Sequence, residues 1–222
     1  MVKLSILIPT INRADLLGDS LKTLAEQKEY FEELLIIDNG NQTIIGPSIL
    51  YDKIRVLTSN HNLGVSGSWN LGITELFKNS EITHVLALND DVSLGTTQLK
   101  EIAETINSNL DRWFLVGPYY WSVYAISRDG AKNMQYEPNK YFDEHFFPAY
   151  FEDNDFHWRM RQIDESKYLG NVSSFTPEKY INSGSLQKDP TLNRTFEQNR
   201  RYYISKWGGA PSWEVYKKPF NL

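Results

Sequence analysis

Cysteine is absent from the chain, and so is any long hydrophobic run. The first absence excludes a disulfide framework and thiol chemistry. The second argues against a membrane-spanning helix, and the apolar N-terminal stretch MVKLSILIPT is too short for a signal peptide. An excess of basic charge is also missing, since 23 Lys and Arg face 28 Asp and Glu, so no affinity for nucleic acid is indicated. From these absences we expect a cytoplasmic protein.

The common nucleotide-binding loops are missing as well. No G-x-G-x-x-G follows the first apolar run, and Gly64, Gly67 and Gly72 are wrongly spaced for it, which argues against a Rossmann dehydrogenase. No G-x-x-x-x-G-K-[ST] occurs, so there is no Walker phosphate loop. Phosphatases that form an aspartyl-phosphate place an Asp directly after an apolar strand. Asn89 takes that place here, and an amide cannot be that nucleophile.

Apolar strands alternate with amphipathic helices over the first half of the chain. The 222 residues, 41% of them hydrophobic, suit one domain with a sizeable core. The pattern predicts strands at 4–8 (stopped by Pro9), 34–37, 54–57, 84–88 and 113–116, and helices at 15–27, 66–78 and 96–110. Such an alternation is typical of a parallel sheet covered on both faces. We therefore predict an α/β fold.

The second half is less regular and more aromatic. It predicts a strand at 123–127, a short helix at 155–162, and a last helix that starts with Asp189 as N-cap and ends at Gly208. The residues expected on one face of that last helix are Leu192, Phe196, Tyr203 and Trp207. Residues 188–222 carry seven basic and three acidic side chains, and we expect this segment to lie against an acidic face of its own domain.

Polar residues follow several predicted strands at the point where each strand ends. They are Pro9 with Thr10, Asp38, Asn60, and Asn89 with Asp90 and Asp91. Ligands on a parallel sheet bind beyond the carboxyl ends of its strands, so these residues predict a shared site. The stretch LALNDDVSLG (86–95) has two readings: Asp and Asn favour turns for backbone reasons, and paired carboxylates also suit a divalent cation.

Five motifs in order resemble those of family 2 glycosyltransferases. They are SILIPTINR (5–13), LLIIDNG (34–40), NHNLGVSGSWNLGI (60–73), LALNDDV (86–92) and YFEDNDFHWRMR (150–161). YYISKWGG (202–209) is similar to a tail of some members that transfer sugars, rhamnose among them, to polysaccharides or virus-encoded capsid glycans. The resemblance implies a GT-A fold, with a mainly parallel central sheet flanked by helices, as a single catalytic domain over 1–222. Residues 1–117 would bind the nucleotide sugar, and residues 118–222 the acceptor.

The resemblance assigns the nucleotide to the loop after the first strand. Pro9, Thr10, Asn12 and Arg13 would line the base and the diphosphate. Asp38 would accept a hydrogen bond from the imide N–H of uracil or thymine, which favours a UDP- or dTDP-sugar donor.

Further donor contacts are implied at the third strand and at the acidic triplet. Gly64 would let the backbone approach the ribose, and Asn70 would reach in from the following helix. Asp91 would hold Mn²⁺ or Mg²⁺ against the diphosphate, where the metal stabilises charge on the leaving group. Asp90 would contact the ribose or the donor sugar, beside Asn89.

FEDNDF (151–156) is implied to carry the proton transfer of an inverting reaction, in which a carboxylate deprotonates the acceptor hydroxyl. By the motif that base is Asp153, with Glu152 as the second candidate. Asp155 is expected to cap the following helix. A purely structural alternative makes Asp153 a helix cap as well.

Two positions depart from the family pattern. Asn89 replaces the first Asp of the usual triplet, which leaves Asp91 as the clearest metal ligand. Many relatives carry a His near position 182, where this chain has Asn182, so His145 and His157 are the candidate imidazole ligands.

The reading that follows is a metal-dependent, inverting transfer of one sugar from a UDP- or dTDP-sugar to a glycan or glycoprotein. A nucleotidyltransferase is a second hypothesis, but its glycine-rich loop is missing from PTINRAD. A third is a non-catalytic module that binds sugar nucleotides or glycans; a binding module needs no base, so the presence of both Asp91 and Asp153 argues against it.

Overall fold

The structure is a computed structural model that describes residues 2–118, 120–180 and 190–222, without the side chains of residues 120 and 192. Within these residues the strands are β1 Leu4–Thr10, β2 Leu34–Asp38, β3 Ile54–Thr58, β4 His84–Leu88, β5 Val92–Ser93, β6 Phe114–Val116, β7 Val123–Ser127, β8 Tyr168–Leu169 and β9 Lys179–Tyr180. The α-helices in the same residues are α1 Ala14–Ala25, α2 Gly64–Phe77, α3 Gln98–Asn107, α4 Arg128–Met134, α5 Glu152–Asp164 and α6 Phe196–Trp207.

The central sheet has the strand order β3-β2-β1-β4-β7-β6-β8. Neighbours from β3 to β4 are parallel, and so are β6 and β8, which confirms a mainly parallel sheet. Strand β7 is antiparallel to both of its neighbours and separates β4 from β6. The sequence missed this insertion, because periodicity reports that a segment is a buried strand and not which strands flank it.

Helices cover both faces of the sheet. On one face the apolar sides of α1 and α3 pack against β1, β2 and β4. On the other face α2, α5 and a large aromatic cluster pack against the same strands. Strands β1, β2 and β4 are mostly apolar because both of their faces are buried. Burial of each Leu or Ile side chain in these strands stabilises the folded state by about 1.5 to 3 kcal/mol.

Strand β1 continues through Pro9 and does not stop there, which corrects the prediction. The N–H of Ile6 donates to the carbonyl oxygen of Glu33, on the side of β2. Backbone nitrogens alternate in direction along a strand, so the nitrogen of Pro9, three residues later, points to the opposite side, toward β4. The pairing of β1 with β4 ends at Leu7 and Ala87. Proline therefore costs no ladder hydrogen bond at this position.

The last helix also differs from the prediction. Residues Pro190–Asn193 form a 3₁₀ turn, and α6 begins only at Phe196. The proposed cap Asp189 lies outside the described residues. The predicted end is confirmed, since Gly208 adopts φ 75° and closes α6. Tyr203 and Trp207 pack with Phe146 in a small buried cluster.

None of the helices in the described part of the chain is both long and apolar enough to cross a bilayer.

The first prediction concerns the close packing of α2 on β1. A Cβ added to Gly72 would overlap the side chain of Leu7, which is fully buried. We expect Gly72→Ala to lower the free energy of unfolding by about 1 to 3 kcal/mol in urea denaturation. In the matched control Gly18→Ala, on α1, the added Cβ meets nothing within 4 Å. The control should raise the free energy of unfolding by about 0.5 to 1 kcal/mol, because alanine loses less backbone entropy than glycine on folding. Equal stabilities of the two variants would contradict the packing.

Candidate active site

The carboxyl ends of three strands meet at a buried hydrogen-bonded group. The hydroxyl of Thr10, at the end of β1, donates to Oδ2 of Asp90 over 2.7 Å. The side-chain amide of Gln42, in the loop after β2, donates to the same hydroxyl over 3.1 Å. The predicted convergence at this edge of the sheet is therefore present for Thr10 and Asp90.

Asp90 is buried beside a second carboxylate. Burial raises the pKa of Asp90 to about 6, and the negative charge of Asp91 adds to the rise, while the bond from Thr10 and the charge of Arg13 oppose it. A cation bound between the two carboxylates would stabilise their ionised forms, because its positive charge offsets burial and their mutual repulsion. The chemistry of the donor set, hard carboxylate oxygens, fits Mn²⁺ or Mg²⁺.

Arg13 lies under the same edge with its side chain 9% exposed. Its Nε and Nη2 donate to the carboxylate of Asp15 over 3.1 and 3.3 Å. Its buried Nη1 has no hydrogen-bond partner among the described residues. A guanidinium N–H held in this way is suited to a phosphate oxygen.

The loop after β1 is shaped by its neighbour. Asn12 has φ 55°, and a Cβ on Gly40 would overlap its side chain, so glycine permits the two loops to touch. Pro9 precedes this loop as part of β1.

Asp38 shapes the next loop. It is 1% exposed, and its two oxygens accept the backbone N–H groups of Gly40 and Gln42 over 2.9 and 3.0 Å. A carboxylate has about four acceptor positions, so a further bond to a nucleobase remains chemically possible. The contact of Asp38 with a base stays a prediction.

Gly64 and Asn70 both contact the loop before α5, and their predicted contacts with the donor stay predictions. Gly64 has φ 69°, and a Cβ there would crowd the carbonyl oxygen of Pro148 at 2.8 Å, so glycine permits the close approach of this loop. Asn70 accepts the backbone N–H groups of Tyr141 and Phe142 over 2.9 Å. Its amide nitrogen donates to the carbonyl oxygen of Phe142 and to Glu144. Asn70 is 3% exposed and organises the loop before α5.

Asn89 and Asp91 lie at the carboxyl end of β4, where the N–H of Asn89 donates to the carbonyl oxygen of Ser122 over 3.0 Å. Within the described residues no three His, Asp or Glu side chains form a metal-binding group. His145 sits 2.8 Å from Asp143 and stacks on a tyrosine ring. His157 stacks on Tyr168. Position 182 lies outside the described residues.

The predicted catalytic pair lies in the first turn of α5. Glu152 is 6% exposed, and its Oε2 has no hydrogen-bond partner in the part of the chain that is described. Burial and the neighbouring charge of Asp153 raise the pKa of Glu152 well above its usual range. Asp153 is half-buried, accepts the N–H of Asn154 over 2.7 Å, and has its pKa raised by burial.

Asp155 does not cap α5, which corrects the prediction, because α5 already begins at Glu152. Its buried carboxylate instead accepts Nε of Arg159 over 2.9 Å, Nζ of Lys206 over 2.6 Å and Nε1 of Trp207 over 2.9 Å. The basic C-terminal segment thus reaches an acidic group of its own chain, as expected for Lys206.

The start of α5 is close to the carboxyl end of β4. The N–H of Asn89, directly after β4, donates to the carbonyl oxygen of Ser122, and the ring of the preceding Trp121 lies 5.4 Å from that of Phe156 on α5. Tyr180 pairs with Val92, directly after Asp91, and burial raises the pKa of Tyr180 with the charge of Asp91 adding to the effect. Burial and then the charge of Glu152 raise the pKa of Tyr124, which pairs with Ala87 on β4.

A mainly parallel sheet flanked by helices on both faces is the fold of GT-A glycosyltransferases. The sequence profile described as Glycosyl transferase family 2 matches residues 5–170. The chain therefore belongs to glycosyl transferase family 2. No curated protein matches it in sequence.

Solved structures support the GT-A fold. The mannosyltransferase PcManGT from Pyrobaculum calidifontis, in complex with GDP-Man and Mn²⁺, gives a TM-score of 0.62 at 13% identity, over 95% of this chain and 66% of that one. S. aureus TarS 1-349 in complex with UDP gives 0.56 at 17% identity, over 92% of this chain and 75% of that one. This chain thus spans just under two thirds of the mannosyltransferase chain.

Two residues of the site were missed in the sequence. Gln42 lies in an irregular loop, where no periodicity or motif marks it. Tyr180 belongs to the two-residue strand β9, which pairs with β5 directly after the acidic triplet. A strand of two residues leaves no alternation to recognise, so only the structure reveals Tyr180 beside Asp91.

The second prediction concerns the buried charge of Glu152. Because burial raises its pKa above the ordinary 4.5, the folded state keeps a proton that the unfolded state releases, and the wild type loses stability as the pH rises above that value. Glutamine has the shape of the protonated acid. We therefore expect Glu152→Gln to exceed the wild type in free energy of unfolding near about pH 8, and the difference to vanish near about pH 4.

The exposed Glu197 on α6 provides the control for this comparison. Glu197→Gln should follow the wild type at both pH values. A Glu152→Gln variant that is less stable than the wild type near neutral pH would contradict the burial of an uncompensated carboxylate.

Proposed function

We propose that this chain transfers one sugar from a UDP- or dTDP-sugar to a hydroxyl group of a glycan or glycoprotein, with inversion at the anomeric carbon. The observation that carries the proposal is the proximity of two acidic sets with different surroundings. Asp90 and Asp91 lie at the edge of the sheet, and Glu152 and Asp153 start the helix that approaches it. Residues 1–117 then bind the donor, and residues 118–222 bind the acceptor.

The donor half offers groups suited to a nucleoside diphosphate. Nη1 of Arg13, which has no hydrogen-bond partner among the described residues, suits a phosphate oxygen, and Asp90 with its bond from Thr10 suits a ribose or sugar hydroxyl. The fold accepts different bases, since one structural neighbour was solved with GDP-Man and another with UDP. A carboxylate at Asp38 can only accept hydrogen bonds, which favours the imide N–H of uracil or thymine.

Asp91 is the residue of this chain that would hold a divalent cation, with phosphate and water oxygens as further ligands. When bound there, Mn²⁺ or Mg²⁺ would stabilise the charge of the leaving diphosphate. Asp90 next to it gains from the same positive charge, since its own carboxylate is buried.

The third prediction is that nucleotide release requires a UDP- or dTDP-sugar and a divalent cation. A panel of UDP-, dTDP-, CDP- and GDP-sugars with and without Mn²⁺, followed by detection of the free nucleotide, tests both requirements. Asp91→Asn should abolish cation-dependent turnover with little change in folding, because asparagine is tolerated in a strand-end turn.

Asp52 is exposed in a turn, and Asp52→Asn is the matched control that should keep full activity. Full turnover in a chelator, or by Asp91→Asn, would remove Asp91 from the mechanism. Equal binding of UDP, CDP and GDP in calorimetry would remove the role of Asp38. Formation of a nucleotide–sugar bond in place of its cleavage would favour a nucleotidyltransferase.

Asp153 is the base in this proposal. Its raised pKa strengthens it as a proton acceptor for a sugar hydroxyl, and its half-buried position leaves it accessible. Glu152 is more deeply buried, with only 6% of its surface exposed, so it is less accessible to an acceptor hydroxyl and is the weaker candidate. Direct displacement with Asp153 on the face opposite the diphosphate inverts the configuration of the sugar.

The fourth prediction follows from this role. Asp153→Asn should lower kcat by about 10² to 10⁴, the usual contribution of a general base. That loss corresponds to roughly 3 to 5 kcal/mol of transition-state stabilisation. Nucleotide affinity should hardly change, because other residues bind the donor. Glu152→Gln should lower kcat less.

The structural alternative gives a different outcome. If Asp153 only supported the first turn of α5, asparagine would replace it well and transfer would continue near the wild-type rate. A product that retains the donor's anomeric configuration would likewise exclude Asp153 as the base of a direct displacement.

A further inference from the structure

The backbone directly before the catalytic pair is held in an unusual conformation. Tyr150 has φ 79° and Phe151 has φ 75°, although neither is a glycine. Bulky residues rarely adopt the left-handed region, and two in succession persist only where the surroundings enforce them. Phe151 leads into Glu152 and Asp153, so whatever holds these two residues also fixes where α5 begins.

Helix α6 supplies the hydrogen bonds to this segment. Asn199 is 2% exposed, and its amide nitrogen donates to the carbonyl oxygen of Ala149 over 2.8 Å. The same nitrogen lies 3.3 Å from the carbonyl oxygen of Phe147 and 3.5 Å from that of Tyr150. One turn earlier, the hydroxyl of Thr195 donates to Phe147 over 2.8 Å. The carbonyl oxygens of Phe147, Ala149 and Tyr150 thus lie within hydrogen-bond distance of Thr195 or Asn199. The carbonyl oxygen of Pro148 between them accepts the N–H of Val65 on α2 over 2.7 Å.

Aromatic packing adds to these bonds. The ring of Phe196 lies 5.3 Å from that of Tyr150 and 5.2 Å from that of Phe151. Tyr203, two turns later, lies 5.7 Å from Phe151. Helix α6 therefore packs on both Tyr150 and Phe151, the two residues of this segment with positive φ.

The far side of the pair is attached to α6 as well. Asp155 follows Asp153 by two residues and accepts bonds from Lys206 and Trp207 over 2.6 and 2.9 Å. The segment that contains Glu152 and Asp153 is thus held by α6 before and after the pair.

We propose that Asn199 is a positioning residue of the transferase, which fixes the place from which Asp153 takes the acceptor proton. This inference rests on the proposed function for its kinetic part. Asn199 is buried against the backbone and acts through the 147–151 segment. A general base must stay within hydrogen-bond reach of the hydroxyl, and a displacement of about 1 Å can cost about a hundredfold in rate.

The fifth prediction is that Asn199→Ala lowers kcat by at least about tenfold while the KM for the donor and the affinity for the free nucleotide stay within about twofold. The loss falls on kcat because the donor is bound by Thr10, Arg13 and Asp91, which α6 does not hold. Asn133→Ala is the matched control: its amide nitrogen donates to the carbonyl oxygen of Asp129 within α4, in an exposed position. This control should keep wild-type kcat.

Hydrogen–deuterium exchange gives a readout that does not need activity. In Asn199→Ala the peptides over 147–156 should exchange faster than in the wild type, while those over β1 and β2 stay unchanged. Thr195→Val removes a single hydroxyl directly before α6, where the bond to Phe147 is exposed, and serves if Asn199→Ala does not fold. It should give the same pattern to a smaller extent.

The outcomes separate the two proposals. Unchanged exchange over 147–156, or unchanged kcat in a folded Asn199→Ala, would overturn the positioning role. So would a loss of nucleotide affinity equal to the loss of kcat, since that indicates a general defect of the fold. A wild-type protein that transfers no sugar from any donor would overturn the proposed function, and with it the kinetic part of the role of Asn199. The exchange data would then still decide whether Asn199 holds the segment.

Discussion

A buried lysine of α6 lies between two carboxylates, one in the loop before α5 and one in α5 itself. Nζ of Lys206 lies 2.6 Å from Oδ2 of Asp143 and 2.6 Å from Oδ1 of Asp155. Burial alone would raise the pKa of Asp143, but the ammonium group outweighs burial and holds that pKa well below its usual range. Charges so far from water are tolerated only when each is paired and hydrogen-bonded, so α6, the loop before α5 and α5 itself must assemble together.

The first turn of α5 shows how surroundings decide the behaviour of one residue type. Asp155 is buried against Arg159 and Lys206, whose positive charges compensate its own. Glu152 and Asp153 are placed by the same turn but have no such cation among the described residues, and burial raises the pKa of both. The compensated carboxylate holds the structure, while the other two are the ones proposed for proton transfer.

A comparable division exists at the edge of the sheet. Asp38 is occupied by backbone N–H groups and fixes a loop, whereas Asp90 is buried beside Asp91 with one hydroxyl donor. The like charges of Asp90 and Asp91 favour the binding of a positive charge at this part of the edge. Gly64, whose small size admits the 147–148 segment, brings the start of α2 into contact with the loop that leads to Asp153.

The sequence by itself determined the class of fold, most of the strands and helices, and the positions of Thr10, Asp90 and Asp153, because apolar periodicity and ordered motifs are local properties. It did not determine that β7 lies between β4 and β6, nor that Asn70 binds the loop before α5. The sequence also predicted the wrong role for Asp155, that of a helix cap, although it lies two residues from Asp153 in one acidic motif. Only the tertiary structure decided these points, because they depend on partners distant in the sequence that approach through packing, such as Phe142 for Asn70 and Lys206 for Asp155.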